Sequence, residues 1–462
     1  MPPGLQKRSS EETTCELYLS SPKGLSSRAV PPNMTGIDLQ RLFRLGKEGG
    51  WIIIGQLATM AGALAMVRFL TEYLSPTQYG QLALGLTAVG LTNQVIIGGL
   101  AAGIGRFYPI AAEQKDLGNY ISDVLRLLVF GSAAVVCFGI ALILGVDILG
   151  YPEWIGLTAS AAVFALLSGY NATLSSIQNA ARQRSVVALH VALDAWLRIV
   201  LSLTVMRYFG VGSTPVVVGY SISVLLVMVS QFAFLKAGGF NAEVSERNEK
   251  EKWISRILAY SWPFSAWGSF IWIQQVSDRW SLGFFGSTAD VGLYAVLFQL
   301  GYTPILMITG VTINFIGPIL YVRSGDATSP VRNAIVNRIV FWLSVGMFTV
   351  SIGCFFLLLL CHEWIFGLLV AREYRSSSML LPWVTLASGL FSVGQIISLK
   401  SYSEMKPKEL LKLKIVTAIL GSVLNVVGAY LAGVSGVVSA LVAFSVAYLI
   451  WIVVLARSGA PS

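Results

Sequence analysis

Three polar residues stand four apart inside an apolar run, in "HVALDAWLRIV" at 190–200: His190, Asp194 and Arg198. In a helix that spacing sets all three on one face. An ionised group at mid-bilayer costs about 2.5–3.5 kcal/mol on insertion scales, so such residues meet a partner or a water-filled cavity. Two chemistries follow. Asp194 precedes Arg198 in the favourable acid-before-base order, so the two can neutralise each other as structure alone. Alternatively the face borders a cavity, where Arg198 binds an anion and Asp194 limits the net positive charge. Arginine suits a phosphate because its planar fork donates two parallel hydrogen bonds. His190 and Asp194 are candidates for coupling a proton, with a buried neutral imidazole as the alternative for His190.

Other charges interrupt apolar runs. Arg68 and Glu72 close the first run, and Asp278 and Arg279 follow Gln274 and Gln275 in "YSWPFSAWGSFIWIQQVSDRW". Adjacent helical residues point about 100° apart, so Asp278 and Arg279 form no simple pair and each expects a partner elsewhere or water. Asp278 is a further coupling candidate. Pro263 predicts a bend early in this run, and Trp272 and Trp280 read as interface or packing residues. Arg106, in "GIGRFYPIAAEQKD", falls in a predicted turn or short surface helix, with a gating or headgroup role as its functional reading.

The elements that must position these residues are membrane helices. The chain has 462 residues, 55% hydrophobic and 12% charged, with mean hydropathy +0.71. That balance excludes a soluble fold, and runs of about 20 apolar residues exclude a barrel, whose strands alternate over about ten. Twelve spans are predicted, at 51–70, 80–102, 124–146, 154–177, 186–207, 214–235, 257–283, 291–319, 335–360, 377–399, 411–431 and 434–456. The expected organisation is an all-α membrane protein in four parts. They are a disordered cytoplasmic tail at 1–45, a six-helix bundle at 46–235, a cytoplasmic linker at 236–256 and a second bundle at 257–457. The tail is rich in Ser and Pro and holds no cleavable signal peptide; Met34 opens a stretch that reads as a bacterial start.

Charge orients these spans. With both termini in the cytoplasm, 26 of the 32 Lys and Arg fall on that side. Four fall outside (Arg68, Arg207, Arg372 and Arg375), and Arg198 and Arg279 lie within spans. The +9 net charge is therefore a topology signal and not a nucleic-acid footprint. The halves also repeat. "SPTQYGQLAL" (75–84) joins spans one and two, and "STADVGLYAV" (287–296) joins spans seven and eight, with Gly80 and Gly292 at one offset. Six helices per half make the copies parallel repeats about an axis along the membrane normal.

The sequence has no phosphate-binding G-x-x-x-x-G-K-[ST] run, no H-E-x-x-H and no G-x-S-x-G. Its four cysteines show no metal spacing, and His362 reads as a solvated residue of an outer loop. No catalytic site, metal or cofactor is expected, and a transporter is the default for twelve spans in parallel halves.

Three stretches carry a resemblance. "RFLTEYLSPTQYGQLAL", "GIGRFYPIAAE" and "SDRWSLGFFGSTADVGLYAV" are similar to the polysaccharide-export flippases, over about residues 40–456. These are the O-antigen and exopolysaccharide translocases of the multidrug/oligosaccharidyl-lipid/polysaccharide exporter superfamily. The resemblance implies two six-helix bundles forming a V around a central, often cationic cavity. It implies ion-driven alternating access in the bacterial inner membrane. It also implies an undecaprenyl-diphosphate-linked oligosaccharide as substrate, moved from the cytoplasmic to the outer leaflet, and a polysaccharide polymerase and chain-length regulator as partners. Arg68, Arg106, Asp278 and Gly292 match the family's recurring positions; Asp194, Arg198 and Arg279 join the expected substrate site on the physical argument alone. The rival is a multidrug antiporter of the same superfamily, which expects an acidic cavity. A membrane polysaccharide polymerase comes third, because it needs a sizeable catalytic loop.

Overall fold

The computed structural model describes residues 39–237, 253–325, 329–404 and 407–458. Among the described residues the chain is helical nearly throughout, without a strand. It divides into a short unit, 1–46, and a large one, 47–462, which holds the helices that matter here. The expected tail lies almost wholly outside the described residues, as does most of the 236–256 linker; at Leu39 the chain is already helical.

The helices are α1 (Leu39–Tyr73), α2 (Pro76–Glu113), α3 (Leu117–Ile148), α4 (Pro152–Ala180), α5 (Arg184–Phe209), α6 (Ser213–Ala237), α7 (Trp253–Phe285), α8 (Thr288–Ser324), α9 (Pro330–Leu369) and α10 (Arg372–Ser403). α11 (407–431) and α12 (434–458) are joined by a sharp turn at Ala432–Gly433, where Gly433 has φ +55. A positive φ there costs glycine little and most other residues more. Ten stretches are long and apolar enough to cross a bilayer. One of them holds both α11 and α12, and α7, at 33 residues, spans about 50 Å. The described chain thus has twelve long helices, eleven of them within the ten apolar stretches and α7 outside those stretches.

Two features differ from the sequence reading. The run around Arg106 is no turn: α2 continues through Pro109 to Glu113. α9 likewise runs to Leu369, so His362 lies on a helix, with Nδ1 3.2 Å from Ser378 Oγ.

The internal repeat shows in local chemistry. Ser75 caps α2 and Ser287 caps α8, each in a reciprocal box with the residue three on, Gln78 and Asp290. Both helices then contain one π turn, at Thr92–Ile97 and Phe298–Tyr302. The two first turns cross at Gly80 and Gly292. A Cβ on Gly80 would overlap the carbonyl oxygen of Thr288, and a Cβ on Gly292 that of Pro76. Only glycine permits this approach of the halves.

The same end is tied further. The phenol of Tyr374, in the first turn of α10, donates to Leu74 O at 2.7 Å, and its ring meets Tyr79 edge-on. The Ala371 N–H donates to Thr71 Oγ1 at 3.3 Å. At the opposite end Trp253 of α7 is buried against Tyr120, and its indole N–H donates to Asp116 at 2.8 Å. Between these ends α7 lies along α2. Trp272 donates to Thr87 O and Trp280 to Thr87 Oγ1, at 2.8 and 3.0 Å, so both indoles serve packing between the halves.

Candidate functional site

Two cavities flank α7. One, of about 590 Å³, is walled by α1, α2, α5, α6, α7 and α8. The other, of about 500 Å³, lies within the C-terminal half, between α7, α8, α10, α11 and α12. Gln275 and Arg279 line both. α7 is therefore the partition, and its polar turn at 274–279 is the part seen from each side.

The face of α5 divides. Asp194 and Arg198 line the larger cavity. They pair at 2.5 Å, and Ser223 of α6 donates to the other carboxylate oxygen of Asp194 at 2.8 Å. The Arg198 guanidinium also sits over the rings of Phe164 and Tyr220, 5.1 and 5.4 Å from their centroids. Its Nε–H is buried without a hydrogen-bond partner. The structural pair and the cavity-lining arginine are thus one arrangement, and a donor is left over. His190 borders neither cavity. It is 1% exposed, with Nδ1 2.7 Å from Val186 O and Nε2 3.0 Å from Ser230 Oγ. A carbonyl can only accept, so Nδ1 carries a hydrogen, and the Ser230 hydroxyl, which can donate or accept, serves Nε2: both nitrogens have protein partners.

Asp278 and Arg279 do find partners elsewhere, as their spacing predicts. Tyr294 of α8 donates to Asp278 Oδ2 at 2.7 Å, and Asp278 Oδ1 accepts the Arg279 backbone N–H at 2.6 Å. Arg279 Nη1 donates to Gln275 O at 2.9 Å, and its guanidinium covers the Phe298 ring at 4.8 Å. The expectation that the two side chains stay apart is corrected, because Arg279 Nη1 curls back to 3.6 Å from Asp278 Oδ1. The α2–α7 seam adds Gln94, whose amide donates to Gln275 Oε1 at 3.0 Å.

Two predicted positions are placed differently. Arg68 pairs with Glu72 at 2.7 Å with both side chains exposed (41% and 55%), and lines neither cavity. Arg106 is exposed on α2, also outside both. Sequence reading missed Lys414, Gln395 and Asn425, which line the C-terminal cavity. Each sits in an apolar span without a charged neighbour of special spacing, so only the three-dimensional packing exposes its role. Among the described residues no group of His, Cys, Asp and Glu has the arrangement of a metal site.

Charge balances narrowly. The larger cavity carries Asp194, Arg198 and Arg279, and the C-terminal one Asp278, Lys414 and the same Arg279, so the two together hold three basic residues against two acids. Both acids already hold protein donors, whereas Arg198 keeps an unused one.

A family described as polysaccharide biosynthesis protein matches residues 45–319. No curated protein matches the sequence. Among solved structures, one titled lipid II flippase MurJ, inward closed conformation, aligns with a TM-score of 0.65 at 12% identity, covering 88% of this chain and 87% of its own. An inward-facing multidrug resistance MATE family transporter of the MOP superfamily aligns at 0.62 and 17% identity, covering 92% and 97%. A MOP superfamily transporter from Pyrococcus furiosus, described as having a binding pocket of reverse polarity, aligns at 0.58 and 15%, covering 90% and 95%. At these identities the likeness shows a shared fold.

Proposed function

The chain belongs to the polysaccharide biosynthesis protein family, and from that premise we propose that it carries a lipid-linked oligosaccharide across the bilayer. The substrate is an undecaprenyl-diphosphate-linked repeat unit of O-antigen, capsule or exopolysaccharide. It moves from the cytoplasmic to the outer leaflet of a bacterial inner membrane, with both termini of the protein in the cytoplasm. Its product then passes to a polymerase and a chain-length regulator.

The observation that carries this reading is the pair of guanidinium groups, Arg198 and Arg279, on the wall of one cavity. A diphosphate matches two such planar forks of donors better than a cation does. The multidrug antiporter reading needs a free acid. Asp194 and Asp278 are each held by a hydroxyl and by an arginine N–H, which leaves them poor receptors for a cationic drug. These acids remain the coupling candidates, since Asp194 and Asp278 border cavities and His190 does not.

The two ends give this reading its two gates. The Gly80–Gly292 crossing with Tyr374 seals the outer end, and Trp253 with Asp116 and Tyr120 holds the inner one. Release requires that the ligand bind differently in the two states. Cells deleted for this protein are expected to accumulate lipid-linked oligosaccharide on the cytoplasmic leaflet and to lose a surface polysaccharide. Unchanged surface polysaccharide with new sensitivity to cationic dyes would replace the reading by the antiporter.

A further inference from the structure

We infer that the C-terminal cavity is a glycan subsite, which receives the sugars while the diphosphate lies against Arg279 and Arg198. The inference rests on the transport reading above and adds to it where the sugars go. Its observation is the juxtaposition of an aromatic wall with side-chain amides in a chamber that shares Arg279 with the larger cavity.

The wall is continuous. Phe298 stacks on Tyr302 at 4.5 Å and 19°. Tyr302 approaches Phe391 at 6.4 Å, and Phe391 meets Tyr448 at 4.9 Å and Phe444 at 5.8 Å. Facing into the same chamber are Gln274, Gln395 and Asn425. Asn425 gives one amide hydrogen to Ser277 at 2.8 Å.

Three classes of occupant compete for such a chamber. A lipid tail would leave the amides unpaired, at a desolvation cost for each. A cationic drug would want the carboxylate, which Tyr294 and Arg279 already hold. A sugar ring presents an apolar C–H face beside a rim of hydroxyls. The aromatic wall takes the first, because ring faces carry negative potential and C–H edges positive. The amides take the second, since each offers both donors and an acceptor. The volume, about 500 Å³, falls in the usual range of small-molecule sites, about 300–1,000 Å³. Position agrees as well. In a glycosylated lipid the first sugar is bonded to the diphosphate, and Arg279 stands on the partition with one side toward each chamber.

The test uses the purified full chain in lipid vesicles and two probes. One is bare undecaprenyl diphosphate. The other is the same lipid carrying the oligosaccharide extracted from the cells that make it. Gln395→Leu and Gln274→Leu, checked for unchanged thermal stability, are expected to weaken binding of the glycosylated lipid by about two- to tenfold each, the worth of one hydrogen bond. Binding of the bare lipid should stay as in the wild type, while Arg279→Gln weakens both. Equal losses for the two probes, or none for either, overturn the subsite. So does a wild type that binds both probes alike, because the sugars then add no contact. A wild type that binds neither probe overturns the transport reading itself, and the subsite with it.

Discussion

Alanine at Gly292 is expected to open the outer end. The added methyl group has no room, because its position overlaps the carbonyl oxygen of Pro76. The obstacle is backbone in the first turn of a capped helix, not the tip of a flexible side chain, so α2 and α8 must separate. Overpacking of this kind costs about 1–3 kcal/mol, a shift of about 5–150-fold in the equilibrium between closed and open crossings. Gly80→Ala meets Thr288 O in the same way. One separation of the helices relieves both clashes, so the double variant should cost less than the sum of the two. The assay is labelling of Gln299→Cys, a residue of the larger cavity, by a membrane-impermeant thiol reagent added outside. The four native cysteines are replaced by serine beforehand. Labelling should quicken by a factor in that range. Unchanged labelling together with unchanged thermal stability would refute the argument that this crossing holds the outer end shut.

Three other outcomes are expected. Arg198→Ala should abolish export and destabilise the protein by about 3 kcal/mol, the low end for a broken buried pair, because Asp194 keeps only Ser223 while Arg198 itself is 30% exposed. In the double variant Asp194→Asn with Arg198→Gln, thermal unfolding should recover while export stays low; recovery of both would make the pair purely structural. Reporter fusions after Gly150, at 245 and after Ala371 should report outside, inside and outside, and an inside signal at Ala371 would break the twelve-crossing topology.

The helices were legible because their cause is local. Apolar runs of span length appear in the sequence as they appear in space, and the caps at Ser75 and Ser287 repeat at one offset. The chemistry was half legible for the same reason. Asp194 and Arg198 are linked by a helical period, and their pairing at 2.5 Å follows from it. His190 shares that period yet faces Ser230 of α6 and not the cavity. A period fixes a face of a helix but not what packs on it. Asp278 shows the opposite limit. Its tyrosine donor lies 16 residues on, across a turn, and nothing in the spacing reveals it. Arg68 was expected at the site from motif position, but in space it pairs with Glu72 and both side chains are exposed.

The arrangement of charge in the cavities carries its own logic. Two unpaired arginines in a low-dielectric chamber would bind a diphosphate tightly and hold it, since attraction grows as the dielectric falls. Transport needs binding that can be undone. Each arginine here has an acid beside it, at 2.5 Å for Arg198 and 3.6 Å for Arg279, and each acid is itself held by a hydroxyl. The acids therefore stay in place when the arginine turns toward a ligand. They compete for it, and recover it on release. On the proposed reading, the surplus of one positive charge over the two cavities together, with the shared Arg279 counted once, attracts an anion without trapping it. On this logic the acids set the rate of release as much as the arginines set the affinity.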